Sequence, residues 1–416
     1  MPTEDSAAAH RPPDKREAQA TLAAGLFSNG VWDMLSVLVP LYAVAAGLSV
    51  SEVGLIVAAR SVLPAALSIH GGILMDRWGI RRTLLWISMA SLLLPILYPI
   101  SVWFTFLVVL QLTLGLASSL AMAAAQTWSL QSSRGDTATL ARFSVVSRIG
   151  TFIGPVIVGA IWDAYGAWAA FTCISLFAAG MLAAAGHGAP RRLPHGGGAQ
   201  QRSSRPVSRP FNALMPSWAE HRDALVLAAI PAVAFVLAVS FLRNAPGAIQ
   251  ASFYVVYLGD IGLNGTMIGT LVGFSELAGV FGAFMAARME RIMRSHTLVI
   301  VCIASSVAAI AITPLIGHAL AALFVAAAVR GLAQGVSQPL MYSLLGQAVP
   351  PSVHGATVGL RNSVTRLASI ITPAVMGAAA EVWGIEASFY VVGALLLAGT
   401  GGLAAVVMRR RTNRSA

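Results

Sequence analysis

The chain has 416 residues, of which 57% are hydrophobic and 10% charged, with a formal net charge of +11. Soluble domains carry roughly a quarter of their residues as charged groups, so a water-soluble surface cannot be built from this composition. The basic excess would suit nucleic acid in isolation, but the positions of the basic residues exclude that partner.

Residues 1–18, with Pro12, Pro13, Asp14, Lys15, Arg16 and Glu17, read as a disordered N-terminal segment. It is too polar for a signal peptide, and the first helix is expected to stay as an anchor. Twelve apolar runs follow, each fit to cross a hydrocarbon core of about 30 Å, which takes about 20 helical residues. In the first half (19–188) they lie near 19–46, 52–75, 83–101, 103–131, 140–163 and 167–187. A polar stretch, 189–223, reads as a linker, with a glycine run at 196–198 and a short interfacial helix over 210–221. The second half (224–408) has runs near 224–258, 264–287, 296–316, 318–348, 356–380 and 386–408, and a basic tail fills 409–416. None of the runs has the alternation of membrane β-strands. The predicted fold class is therefore an all-α membrane protein, twelve transmembrane helices in two pseudo-symmetric six-helix bundles.

Basic residues sort by side of the membrane. Arg11, Lys15, Arg16, Arg77, Arg81, Arg82, Arg134, the 191–222 arginines, Arg288 to Arg294 and Arg409 to Arg414 fall on one side. The connections around Ser49, Pro99, Asp163, Asp260, Gly317 and Glu381 contain no Lys or Arg. By the positive-inside rule both termini are cytoplasmic, in a multi-pass protein of the cell's inner membrane. The lipid bilayer is then the expected partner, and nucleic acid has no place.

The halves are repeats of one another. At an offset of 218 residues, eleven of the thirty-four positions from Ala138 to Phe171 are identical in Ala356 to Phe389, including Arg148 with Arg366, Pro155 with Pro373 and Gly159 with Gly377. At an offset of 215, Asn29, Tyr42, Leu48 and Gly54 fall on Asn244, Tyr257, Leu263 and Gly269. Parallel six-helix repeats are one way to build a transporter whose site lies between the halves.

After the second helix the chain carries Gly72, Asp76, Arg77, Gly79, Arg81 and Arg82 at the spacing Gly-x-x-x-Asp-Arg-x-Gly-x-Arg-Arg. This resembles the loop signature of the major facilitator superfamily. The resemblance covers essentially the whole chain after residue 18. It implies a cavity lined by the first, fourth, seventh and tenth helices, and a gating role for the loop. The second-half loop keeps Glu290 and Arg291 but loses the glycines. On the fifth helix, Gly150, Gly154, Pro155 and Gly159 resemble the family's exporter motif, while small residues also serve close packing and proline a kink. Pro373 and Gly377 repeat part of the pattern. Where many proton-coupled exporters carry an arginine on the fourth helix, four residues before Gly115, this chain has Gln111.

Ionisable groups at membrane depth are costly and face a cavity or one another. Here they are Asp33, Arg60, Arg148, Arg243, Glu276, Arg330 and Arg366, none on the third, sixth, ninth or twelfth helix. Polar stripes at helical spacing mark Asn29, Asp33 and Ser36 on the first helix and Gln111, Ser118, Met122 and Gln126 on the fourth. They continue with Ser240, Arg243, Asn244, Gly247, Gln250 and Tyr254 on the seventh and Arg330, Gln334, Ser337 and Met341 on the tenth. The expected substrate-binding residues are Asn29, Asp33, Gln111, Arg243, Asn244, Gln250, Arg330 and Gln334. Asp33 and Glu276 are the candidates for carrying a proton. Arg148 and Arg366 are expected to brace the halves.

Five deep arginines against two acids favour an organic anion or a zwitterion with an exposed carboxylate, with Arg243 and Arg330 in contact with it. The expected function is secondary transport of a small organic solute by alternating access, coupled to protons, by a functional monomer. A multidrug exporter of amphipathic cations is the alternative. A membrane enzyme or sensor should show clustered acidic or His motifs or an appended soluble domain, and neither is seen. No nucleophile motif, phosphate loop or metal-ligand spacing is present, so no cofactor or metal is expected. Cys173 and Cys302 read as small buried hydrophobes.

Overall fold

A computed structural model describes residues 15–133, 136–188, 231–348 and 354–415. Among them every regular element is helical. The first half comprises α1 (Lys15–Ala45), α2 (Val50–Trp78), α3 (Ile80–Leu93, prolonged by a 3-10 turn over Pro95–Ile100) and α4 (Phe104–Ser133). A continuous run, Thr137–Gly188, is divided at Gly166, where φ is 74°, into α5 (137–165) and α6 (167–188). In the second half α7 runs from Pro231–Ile249 through a π-helical turn, Gln250–Tyr254, to Val255–Asp260. There follow α8 (Gly265–Ile292), α9 (Ser295–Ala311, with a turn at Thr313–Ile316), α10 (Leu320–Ala348), α11 (His354–Trp383) and α12 (Ile385–Ser415). The twelve helices expected from the apolar runs are all present among the described residues, and all but α9, of 17 residues, lie in spans long and apolar enough to cross a membrane.

Some boundaries differ from the expected ones. Helix α1 starts at Lys15, inside the stretch read as disordered, and α12 continues through the basic tail to Ser415. A helix already anchored in the apolar core propagates cheaply into flanking residues, whatever their charge. The linker 189–223, with its glycine run and the 210–221 segment, lies outside the described residues, as does Arg134. Helix α2 runs through Gly72, Asp76 and Arg77, whose side chains also lie outside the described set.

The repeat is visible in local geometry. Gly47 and Gly262, 215 positions apart, turn the chain after α1 and α7 at φ 79° and 84°; Gly166 and Gly384, 218 apart, do the same after α5 and α11 at 74° and 84°. Positive φ is a conformation that glycine adopts without a Cβ penalty. Helix α2 opens with a reciprocal cap, Ser49 Oγ accepting from the Glu52 N–H and Glu52 from the Ser49 N–H. Asn264 caps α8 in the same way, accepting from the Met267 N–H at 2.9 Å. In the α4–α5 connection, Asp136 accepts from the Thr139 hydroxyl and the Thr139 and Ala138 N–H groups, which hold its carboxyl below the usual range.

Each half has its own apolar core, and the two interlock. Tyr42 packs edge-on against Phe171 at 5.3 Å and donates to the Tyr98 carbonyl; its counterpart Tyr257 packs on Phe389 at 5.7 Å. Val37 of α1 belongs to the core of the second half, and Val256 of α7 to that of the first. Trp86 on α3, Leu176 on α6, Val301 on α9 and Leu395 on α12 are exposed, as lipid-facing positions must be. Cys173 and Cys302 are both buried and free.

The halves meet closely at the face opposite the termini, along α2 with α11 and α5 with α8. A Cβ on Gly54 would lie 2.5 Å from the Pro373 carbonyl oxygen, one on Gly269 2.1 Å from that of Pro155, and one on Gly159 2.0 Å from that of Gly265. A Cβ on Gly377 would meet Ser51 Cα of α2 at 3.2 Å, a looser approach. Gly150 and Gly154 instead let α5 approach the Leu26 and Gly30 carbonyls of α1. The fifth-helix motif thus serves close packing on two partners at once.

Candidate functional site

Away from that seal the halves separate around a cavity of about 750 Å³. Its floor lies at Ser36, Gln250 and Pro373, and its walls run to Gln126, Ala283, Gln338 and Arg361, which are nearer the face of the termini. It therefore opens towards that face. Helices α1, α2, α4 and α5 contribute from one half and α7, α8, α10 and α11 from the other, while none of the described residues lining it belongs to α3, α6, α9 or α12. That division matches the distribution of buried charge along the chain.

Five guanidinium groups and two carboxylates line the cavity: Arg60, Arg148, Arg243, Arg361 and Arg366, with Asp33 and Glu276. Arg60 lies over the Trp32 ring at 3.6 Å from its centroid and donates to the Trp32 carbonyl. Arg243 donates from Nε to Ser337 Oγ at 2.8 Å and from Nη2 to the Gln334 carbonyl at 2.9 Å. Arg366 crosses between the halves, donating from Nη2 to Ser119 Oγ of α4 at 2.9 Å, with its head 5.4 Å from the Trp32 centroid. Arg148 also crosses, pairing with Glu276 at 3.4 Å, and both side chains remain partly exposed to the cavity. Asp33 sits in the electrostatic field of Arg60, Arg148 and Glu276. Three of the five arginines are thus oriented by neutral acceptors, which fix a guanidinium without cancelling its charge.

The residues expected from sequence divide into two groups. Asp33, Arg243, Asn244, Gln250, Gln334, Glu276, Arg60, Arg148 and Arg366 come together at the cavity. Asn29, Gln111 and Arg330 stand off it. The Asn29 amide turns back onto the Gly25 carbonyl at 2.8 Å. Gln111 and Arg330 are each 1% exposed, near the ends of α4 and α10 that approach the sealed face. Arg330 lies against the Tyr254 ring at 4.6 Å, and its Nε and Nη2 find no hydrogen-bond partner among the described residues. The π-helical turn brings Tyr254 there, and a period-3.6 reading of α7 cannot anticipate it.

Of the loop residues, Gly79 turns at φ 81°, Arg81 Nη2 donates to the Gly186 carbonyl at 2.7 Å, and Arg82 is exposed. Sequence reasoning passed over Arg361, Trp32, Ser119 and Asn362, although Arg361 lies within an expected span and carries the same cost of burial as the others. It also passed over two acids at the seal. Asp163, at the end of α5, accepts from the Gly265 and Thr266 N–H groups at 2.7 Å each and from the Thr266 hydroxyl at 2.6 Å, at the start of α8. Glu381, at the end of α11, accepts from the Ser51 N–H at 3.3 Å and its hydroxyl at 3.1 Å, at the start of α2. Asp163 and Glu381 are 218 positions apart, and Ser51 and Thr266 are 215 apart, so both contacts are copies of one contact.

The family model described as Major Facilitator Superfamily matches residues 21–246 and 235–416 of the chain. Among solved structures, the nucleoside transporter NupG superposes with a TM-score of 0.74 at 11% identity, over 93% of this chain and 98% of that one. A bacterial homolog of the human lysosomal transporter Spinster, in an inward-facing and unoccupied conformation, gives 0.69 at 12%, over 95% and 98%. A transporter of the POT family, in complex with a thioalcohol-conjugated peptide, gives 0.70 at 12%, over 95% and 96%. By sequence no curated protein matches the chain. At such identities the likeness to these structures is one of fold.

Proposed function

The chain belongs to the major facilitator superfamily of secondary transporters, and on that premise we propose that it carries a small organic anion, or a zwitterion with an exposed carboxylate, coupled to protons. The observation that carries this reading is the cavity's charge: five guanidinium groups face two carboxylates, and three are held by neutral acceptors. An uncompensated charge at membrane depth costs at least about 2.5 kcal/mol. An anion bound between the halves relieves that cost, and guanidinium forks match carboxylate, sulfonate or phosphate oxygens. An amphipathic cation would meet the opposite field.

In this reading the termini are cytoplasmic, the protein sits in the inner membrane as a functional monomer, and the cavity faces inward. The absence of Lys and Arg from the six far connections supports that orientation. So does the fold shared with a transporter solved inward-facing. Asp33 and Glu276 are the proton carriers, since each lies beside arginines whose approach or departure changes the stability of its charged form.

The test is solute flux in proteoliposomes under an imposed pH gradient, screened across anionic and cationic compounds. Anions accumulate and lipophilic cations do not. The Asp33→Asn, Glu276→Gln double variant loses gradient-driven accumulation but keeps exchange. Full accumulation by that variant removes both acids from the coupling step.

A further inference from the structure

The arginines account for only part of the cavity wall, and the rest has a consistent chemistry of its own. Among the described residues the side-chain amides of Gln126, Gln334, Gln338 and Asn362 line the cavity and make no hydrogen bond. They come from three helices in both halves, α4, α10 and α11. A guanidinium only donates, whereas an amide both donates and accepts. The arginines therefore match an acceptor-only group, and the amides match groups that can do both, of which the hydroxyl is the simplest.

The apolar part of the same wall is aliphatic, with Val57, Leu116, Leu120, Met122 and Val272 among the residues that line it. Trp32 is the aromatic residue among those lining the cavity, and its ring is already covered by the Arg60 guanidinium at 3.6 Å. Among the described residues no other aromatic face is offered for stacking a nucleobase or an aryl group. Ligand sites for apolar molecules are lined mainly by hydrophobic and aromatic side chains with a few polar groups, whereas here polar and apolar residues share the wall about equally.

We propose that the transported anion is polyhydroxylated and non-aromatic, in the class of sugar acids and sugar phosphates. Its acid group is held by the arginines and its hydroxyls by the Gln and Asn amides on both halves. This rests on the anion reading above, which supplies the charge but not the body of the molecule. A polar, hydrated body also explains why the wall can leave amides in water when the carrier is empty. Each amide exchanges water for a substrate hydroxyl at little net cost, and a substrate lacking hydroxyls leaves those amides dehydrated without a partner.

The experiment measures equilibrium binding to the purified full chain in nanodiscs. The probes are gluconate and glucose 6-phosphate as hydroxylated anions, hexanoate and benzoate as anions without the hydroxyls, and sorbitol as a neutral polyol. One or two net hydrogen bonds are worth about tenfold in Kd. The expected result is that at least one hydroxylated anion binds about tenfold or more tighter than hexanoate and benzoate, with sorbitol weaker still. The Gln126→Ala, Asn362→Ala double variant brings the ratio of hydroxylated to plain anion to within about twofold, while Arg366→Gln weakens both kinds of anion in parallel. If hexanoate or benzoate binds as tightly as the hydroxylated anions, the hydroxyl inference falls and the anion reading stands. If sorbitol equals the hydroxylated anions, or no anion binds, the anion reading falls and takes this inference with it.

Discussion

The seal at the far face and the cavity beneath it are built from the same repeat, yet only the seal keeps the repeat's symmetry. Gly54 meets Pro373 as Gly269 meets Pro155, and Glu381 meets Ser51 as Asp163 meets Thr266. In the cavity the charges have no counterparts. Asp33 corresponds to Ala248, Arg60 to Ser275, Glu276 to Ser61 and Arg243 to Ser28, each at an offset of 215. Only Arg148 and Arg366 repeat, and they take different partners, Glu276 and Ser119. Closing a two-bundle carrier needs two equivalent hinging contacts, which duplication supplies. Recognising one asymmetric solute needs residues that differ between the bundles, so the chemistry lies where the repeat is broken.

The largest test of that division is steric. Gly269→Leu or Gly54→Leu places a side chain where even a Cβ would stand 2.1 Å or 2.5 Å from a backbone oxygen of the opposite bundle. Backbone cannot give way as a flexible side chain can, so α5 and α8, or α2 and α11, must part. The expected outcome is a protein that inserts and binds solute but does not transport, with Ser51→Cys on the same background labelled faster from the far face. Because the contacts are copies, the two variants should fail alike. Normal flux in either one would show that the seal is not a required state.

The next effect is chemical and should be unequal across the repeat. Arg366→Gln removes a guanidinium from the cavity wall. Hydrogen bonds to charged groups are worth roughly 1.5–3 kcal/mol, so an anion should bind about tenfold to a hundredfold more weakly, with little change for a neutral analogue. Arg330→Gln, behind the wall against Tyr254, should weaken the anion less. Equal losses from the two variants would place Arg330 in the binding path after all.

The contrast also explains what could be read from the sequence. The helices were legible because burial in lipid demands long apolar runs, and the cavity helices because polar residues at helical spacing must face something wet. The deep charges were legible through their cost, and nine of the twelve candidate binding, coupling and buried-charge residues line the cavity. Depth along a helix was not legible. Gln111 and Arg330 share a stripe with cavity residues but are buried off the cavity, Arg330 behind its wall against Tyr254. The π-helical turn at Gln250–Tyr254 has no periodic signal at all. Asp163 and Glu381 did carry one: the 218-residue alignment pairs them in connections otherwise poor in charge. That repetition of an acid between the two halves was passed over because both fall at the expected connections, where a carboxylate ordinarily means only solvation.

The smallest effect tests whether the two latches are equal as well as homologous. Asp163 accepts three hydrogen bonds at 2.6–2.7 Å from the first turn of α8, where backbone N–H groups lack helical partners and the helix dipole favours a negative charge. Glu381 makes two contacts at 3.1 and 3.3 Å with the start of α2, and each of the two helices also has a cap of its own, Ser49 with Glu52 on α2 and Asn264 on α8. The difference between the latches therefore lies in the contacts themselves, three short ones against two longer ones. A carboxylate at an exposed helix start contributes about 0.3–1 kcal/mol. Asp163→Asn should shift the balance between sealed and open states several-fold, and Glu381→Gln about twofold or less, as read from the ratio of inward to outward flux. The double variant should come near the product of the two, since the latches lie on separate helix pairs and share no partner. A larger effect from Glu381→Gln than from Asp163→Asn would reverse the ranking and leave symmetry, not contact geometry, as the measure of what each latch contributes.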